Sequence, residues 1–132
     1  MDLEILKIAS NTENNKIVEK YTHTSKQKNS VCGDEMEISL IINKNIIIDF
    51  GYQCKSCIYC QASVSLLSRK SINESKDSLT NLIKIFDDFF DKKNLNFPRK
   101  WQIFKKLFNK KNLSRKECIK LPFKTLSSAL NN

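Results

Sequence analysis

The sequence predicts an α+β fold: a small antiparallel β-sheet, one hairpin with room for an edge strand, covered by several α-helices. Two patterns carry that expectation. Apolar residues alternate through Met36, Ile38, Leu40 and Ile42, and again through Ile46, Ile48, Phe50 and Tyr52. That period of two marks strands with one buried face. Leu79, Leu82, Ile83, Phe86, Phe89 and Phe90 instead recur at helical spacing, the stripe of a helix packed on a core. A length of 132 residues fits one domain over residues 1–132, with a core that needs no disulfide staples.

Taken in order, Asp2 to Ser10 reads as a short helix with Asp2 as N-cap and Leu3, Leu6 and Ala9 on its inner side. The polar stretch that follows offers Lys16 to Tyr21 as an edge strand, and its lone His23 lacks a partner at ligand spacing and is expected to be exposed. Asn43-Lys44-Asn45 supplies the hairpin turn. Helices are expected over Gln61 to Arg69, over the stripe ending at Phe90, and over Trp101, Phe104, Leu107 and Phe108. Ser114 and Glu117 stand at capping-box spacing before a last helix. Pro122 lacks the N–H that would bond the Cys118 carbonyl, so a kink or restart is expected there.

Composition narrows the function. Hydrophobic residues at 40% and charged residues at 28% fit a soluble globular chain. Met1-Asp2-Leu3-Glu4 lacks the basic start of a signal peptide and no apolar run reaches membrane-spanning length, so a cytoplasmic protein without a membrane partner is expected. Cytoplasmic thiols stay reduced, so five cysteines point to metal or redox chemistry before disulfides. The net charge of +9 is concentrated from Lys92 to Lys124, where Glu117 is the sole acid. Those lysines lie at helical spacing without a nucleic-acid-binding motif, which favours solvated helix faces or a dock for an acidic partner.

Three segments can carry chemistry. Cys32-Gly33-Asp34 can aim a thiolate and a carboxylate the same way across a glycine turn, although a Gly-Asp turn is also an ordinary surface feature. Cys54-x-x-Cys57-x-x-Cys60 falls where strand gives way to helix. It lacks the early fourth cysteine of a ferredoxin run and the second close pair of a zinc ribbon, which suggests a site assembled from distant segments. Arg115 and Cys118 are neighbours on one helix face, where a guanidinium beside a helix start favours a reactive thiolate. The alternative is a cysteine packed in the core.

Together the segments resemble the U-type iron–sulfur assembly proteins: IscU, SufU and the N-terminal domain of NifU. The matching residues are Cys32-Gly33-Asp34, then Cys57 leading into Ala62-Ser63-Val64-Ser65, then Arg115-x-x-Cys118-x-x-Leu121-Pro122-Phe123, in register from Leu6 to Leu130. The resemblance implies a SufU/IscU-like fold with Cys32, Asp34, Cys57 and Cys118 as ligands to Zn2+ or a nascent [2Fe–2S] cluster. It implies a cysteine desulfurase (SufS/IscS-like) as sulfur donor and a downstream iron–sulfur carrier or apo-protein as recipient. Cys118 would be the sulfur acceptor with Arg115 activating its thiolate, in a scaffold or sulfur-transfer protein rather than a stand-alone enzyme. Glu117 stands where the IscU branch has histidine, and no Leu-Pro-Pro-Val-Lys motif precedes Cys118, which looks like the SufU branch. Cys54 and Cys60 replace small residues of the family pattern. Two other readings stay open: a zinc-stabilised nucleic-acid-binding module using the basic C-terminal half, and a thiol redox protein using Cys54 with Cys57 or Cys57 with Cys60.

Overall fold

The computed structural model describes residues 2–31, 33–87, 89–90 and 97–131. Three antiparallel strands in the order β1-β2-β3 form the sheet: β1 (His23–Lys28), β2 (Glu35–Asn43) and β3 (Ile46–Lys55). The hairpin turns at Lys44 and Asn45, both with positive φ (51° and 68°), the left-handed pair that matches strand twist in a two-residue turn. Leu40 pairs with Phe50, Ile38 with Tyr52 and Met36 with Cys54. One face is therefore an apolar row that ends, at the sheet's far end from the turn, in a thiol.

That face is covered by helices. α1 (Leu3–Ala9) packs on α2 (Ile58–Ser71), α2 and α3 (Lys76–Asp87) pack on α4 (Lys116–Leu130), and α4 crosses β1 and β2. α2 is central and buried on nearly every side; Ser65 satisfies its hydroxyl on the Asn11 carbonyl at 2.7 Å and Ser71 on the Leu67 carbonyl at 2.7 Å, as buried polar groups require. The opposite sheet face is crossed by the strap 14–18. Its Val18 N–H donates to Ser39 Oγ (3.0 Å), and a Cβ on Gly51 would lie 2.5 Å from the Lys16 carbonyl oxygen, so glycine is required there. The turn end is bound to the α2–α3 connection: Ile47 N–H donates to Glu74 O (2.9 Å), Asn73 N–H to Ile47 O (2.8 Å) and Lys76 N–H to Asn45 O (2.9 Å).

Several expectations change. Asp2 does cap α1, accepting from the Glu4 and Ile5 amides, but α1 buries Ile5, Ile8 and Ala9 and leaves Leu3 77% exposed, because the β-branched pair one turn apart faces α2. The edge strand is His23–Lys28, not Lys16–Tyr21, and His23 is half-buried on it; a solvent-facing edge carries polar residues and hides its strand signature. Phe89 and Phe90 lie in a turn beyond α3. Trp101 to Phe108 forms no α-helix: two 3-10 helices span Arg99–Lys106 and Lys110–Arg115. The capping box is absent, Arg115 standing at the N-cap of α4 without a side-chain bond, and α4 runs through Pro122 as one helix with no restart.

The basic stretch is partly spent inside the fold. Lys106 pairs with Glu4 at 2.7 Å and Lys111 with Asp2 at 3.0 Å, tying the 3-10 segments to α1; Lys100, Lys120 and Lys124 pair with Glu74, Asp87 and Glu117. Lys92 and Lys93 lie outside the described residues. Among the described residues no helix is long and apolar enough to cross a membrane.

Candidate metal centre

At the end of the sheet away from the turn, a loop and two helix starts meet. Gly33, at φ +77°, donates its N–H to Asn29 O (2.8 Å), and Asn29 N–H donates to Asp34 O (2.8 Å). The closed loop delivers Asp34 into the interior at 8% exposure. A side chain at Gly33 would carry the left-handed cost of about 1–2 kcal/mol. Cys57 is the N-cap of α2 but makes no side-chain capping bond, so its sulfur is left to the site; the Gln61 N–H bonds the Cys57 carbonyl at 3.0 Å to start the helix. Cys118 lies in the first turn of α4 at 7% exposure.

A carboxylate oxygen of Asp34 and the sulfurs of Cys57 and Cys118 all lie within 4.8 Å of one another. Ligand atoms around a tetrahedral zinc lie about 3.5–3.8 Å apart, from bond lengths of about 2.0–2.3 Å, so a contraction of about 1 Å brings these three into a coordination sphere. Asp34 Oδ2 is buried without a hydrogen-bond partner. A buried acceptor in that state is costly, and a cation among two thiolates would satisfy it. The residues present fit a metal. Cys32, the fourth expected ligand, lies outside the described residues.

The two helix starts are held together by a bond the sequence reading missed. Ser63 Oγ donates to the Ile119 carbonyl at 2.6 Å, fully buried. It acts one residue past Cys118, whose own carbonyl Pro122 deprives of the usual amide four residues on. Ala62, also fully buried, lets the helices approach. Ser63→Ala is expected to lower stability by about 1–3 kcal/mol and, by loosening the two helix starts, to weaken the binding of added metal. Denaturant midpoints and a chelator competition titration check both parts.

Arg115 does not simply flank Cys118: its guanidinium carbon sits 5.3 Å from the centroid of the Tyr59 ring, a cation–π contact. The pair bridges the first turn of α2 to the start of α4, the two helix starts that carry Cys57 and Cys118.

The remaining thiols surround Cys57. Cys54 is half-buried at the end of β3 and Cys60 fully buried in the first turn of α2. Burial pushes the Cys54 thiol up, the Ser56 hydroxyl opposes this, and the charges of Asp34 and Cys57 add to the rise. Burial drives Cys60 strongly upward, again against Ser56, with Cys54, Asp34 and Cys57 contributing. Both are neutral at neutral pH and both feel the site. All four described cysteines are thiols.

Comparison with known proteins identifies the family and the fold. Residues 2–93 match the family model for the NifU-like N terminal domain. An uncharacterized protein of Borreliella burgdorferi is 29% identical over 121 residues, 90% of this chain and 82% of its own length. The iron–sulfur cluster assembly scaffold protein IscU of Thermotoga maritima is 27% identical over 103 residues, 78% and 72% of the two chains. Among solved structures, a protein described as an iron–sulfur cluster assembly scaffold for the SUF system, from Fervidobacterium islandicum, superposes with a TM-score of 0.90 at 22% identity, covering 98% and 96% of the chains. A NifU-like N-terminal protein from Brucella abortus gives 0.88 at 18%, covering 98% and 91%. The two structures establish the fold, three-stranded and α+β as the sequence predicts, and the family match reaches the aspartate and first cysteines of the site. The chain belongs to the family of NifU-like N-terminal domains, the U-type scaffolds of iron–sulfur cluster assembly.

Proposed function

We propose that this protein binds zinc or a nascent [2Fe–2S] cluster and accepts persulfide sulfur from a cysteine desulfurase, in the manner of the SufU branch. The observation that carries the reading is the convergence of Asp34, Cys57 and Cys118 around an unsatisfied buried carboxylate oxygen. Cys32 completes the proposed ligand set. Three thiolates and one carboxylate suit zinc, and they hold an iron–sulfur cargo less firmly than four thiolates would. When bound, the metal keeps the cysteine sulfurs deprotonated at neutral pH.

The chain's own residues would act as follows. The Cys118 thiolate attacks the terminal sulfur of the desulfurase persulfide, that sulfur moves to Cys118, and the desulfurase cysteine leaves as a thiolate. Arg115, steadied on Tyr59, draws the anionic persulfide to the mouth. Cys32, Asp34 and Cys57 fix the frame in which Cys118 is presented. Arg99, Lys105 and Lys110, on the 3-10 segments, offer positive charge to an acidic desulfurase surface. The sulfur is then passed to a carrier or apo-protein, in the cytoplasm.

The test is anaerobic purification followed by zinc and iron analysis and a desulfurase assay. The expected result is near-stoichiometric metal, stimulated desulfurase turnover, and return to the unstimulated rate in Cys118→Ser. A wild-type chain with neither metal nor stimulation would sink the reading, and a Cys118→Ser variant that stimulates like wild type would remove the acceptor assignment.

A further inference from the structure

Cys57 and Cys60 occupy the N-cap and third positions of α2. Helix geometry places Cα atoms three residues apart at about 5 Å, inside the range a disulfide spans. The extended N-cap backbone of Cys57 (φ −71°, ψ 168°) swings its side chain over the third residue, where a capping side chain would bond. Cys57 is half-exposed and Cys60 wholly buried. That is the arrangement of an accessible thiol with a concealed partner behind it. The Cys57 and Cys118 sulfurs lie within 4.8 Å, and one sulfur atom shared between two S–S bonds spans about 4 Å, so a sulfur can pass from one to the other.

We infer that Cys60 is a resolving thiol that discharges sulfur held on Cys57 as hydrosulfide. The inference rests on the sulfur-acceptor reading above and concerns the metal-free chain. First, the Cys57 thiolate attacks the terminal sulfur of a Cys118 persulfide; Cys118 leaves as a thiolate and Cys57 carries the sulfur. Next, the Cys60 thiol attacks the inner sulfur of Cys57. The Cys57–Cys60 bond forms, the bond to the terminal sulfur breaks, and hydrosulfide leaves with the Cys60 proton. The terminal sulfur leaves with both electrons of the broken bond, and the Cys60 sulfur supplies the pair for the new one. The close packing around Cys60 leaves no room for an extra sulfur atom on it, which directs attack to the inner sulfur. A small-molecule thiol, itself oxidised to its disulfide, returns the pair to dithiol. The same disulfide withdraws Cys57 from the ligand set, so release of sulfide and loss of metal affinity are one event.

The test uses the full chain, stripped of metal by chelator, loaded by a desulfurase with limiting cysteine, and freed of small thiols. Hydrosulfide release and intact and peptide masses are read together. Wild type is expected to release one hydrosulfide per chain without added thiol and to show a Cys57–Cys60 disulfide. Cys60→Ser, and Cys60→Ala as a second replacement for this buried position, are expected to retain the mass of one added sulfur and to release it only when a thiol is supplied. Cys54→Ser is expected to behave as wild type. A wild-type chain that keeps the added sulfur without forming the disulfide overturns the resolving step alone, as does release from the Cys60 variants at the wild-type rate or its loss in Cys54→Ser. If neither wild type nor the Cys60 variants ever acquire the sulfur, the acceptor reading fails and the resolving step falls with it; uptake by wild type alone overturns only the resolving role of Cys60.

Discussion

Phe86→Ala is expected to destabilise the protein by about 3–5 kcal/mol, the range for removing a buried phenylalanine ring. Phe86, on α3 and 1% exposed, meets Phe97 at 4.6 Å, Phe104 at 5.4 Å, Phe108 at 4.3 Å and Phe123 at 5.6 Å between ring centroids. Three of these partners come from the 3-10 region and the fourth from α4. Short 3-10 turns bond themselves weakly, so this ring cluster, with the Lys100–Glu74 and Lys106–Glu4 ion pairs at its edge, fastens residues 97–108 to the rest. Against a total of about 5–15 kcal/mol for such a domain, the loss is a large fraction. Urea unfolding should show a lowered midpoint with an unchanged slope; a change under about 1 kcal/mol would mean that the cluster re-forms around the gap. Phe123 sits five residues past Cys118 on α4, so the variant should also bind zinc less tightly.

Asp34→Ala is expected to move stability and metal affinity in opposite directions. In the metal-free protein the buried Oδ2 has no partner. Removing it relieves a desolvation cost, and the apo variant should gain about 1–3 kcal/mol. With zinc present the order reverses, because binding to the folded state alone adds stability in proportion to the logarithm of affinity. Loss of a direct ligand should reduce that affinity roughly 100-fold or more, beyond the effect of losing a supporting residue. Unfolding curves taken with chelator and with excess zinc test both halves. An apo variant less stable than wild type would identify Asp34 as a structural carboxylate of the loop instead.

How much of this was legible in the sequence depended on whether the signal was local. The hairpin itself was read correctly from alternation, and Met36, Ile38, Leu40, Phe50 and Tyr52 do face the core, but near the turn a register shift between Ile41 and Ile42 buries Ile47 and leaves Ile48, expected inside, 49% exposed. Asp34, Cys57 and Cys118 stood out in the sequence because thiols and carboxylates are chemically specific, and the fold brings one ligand atom from each within 4.8 Å of the others. The inner face of α1 was misjudged because leucine and isoleucine look equivalent at that spacing, and only the docking on α2 selects Ile5 and Ile8. The apolar spacing of Trp101 to Phe108 suited an α-helix, but aromatic packing on Phe86 outweighed backbone propensity and tightened it to 3-10 turns. The Ser63 bond could not be foreseen, since it joins residues 56 apart; its trace in the sequence was a serine beside an alanine in a helix otherwise bound for the core.

The three backbone bonds that fasten the hairpin turn to the α2–α3 connection give the molecule a mechanical polarity. One end of the sheet is clamped by hydrogen bonds to a neighbouring segment, and the centre is filled by Phe50, Leu40 and Ile38. Asp34, Cys54 and Cys57 sit at the other end, where strands stop and helices begin. Local opening follows the weakest contacts, so hydrogen exchange is expected to be faster at the thiol end than at the clamped turn. Access to the buried carboxylate and thiols then asks only the strand ends to yield, while the hydrophobic centre that defines the fold stays shut.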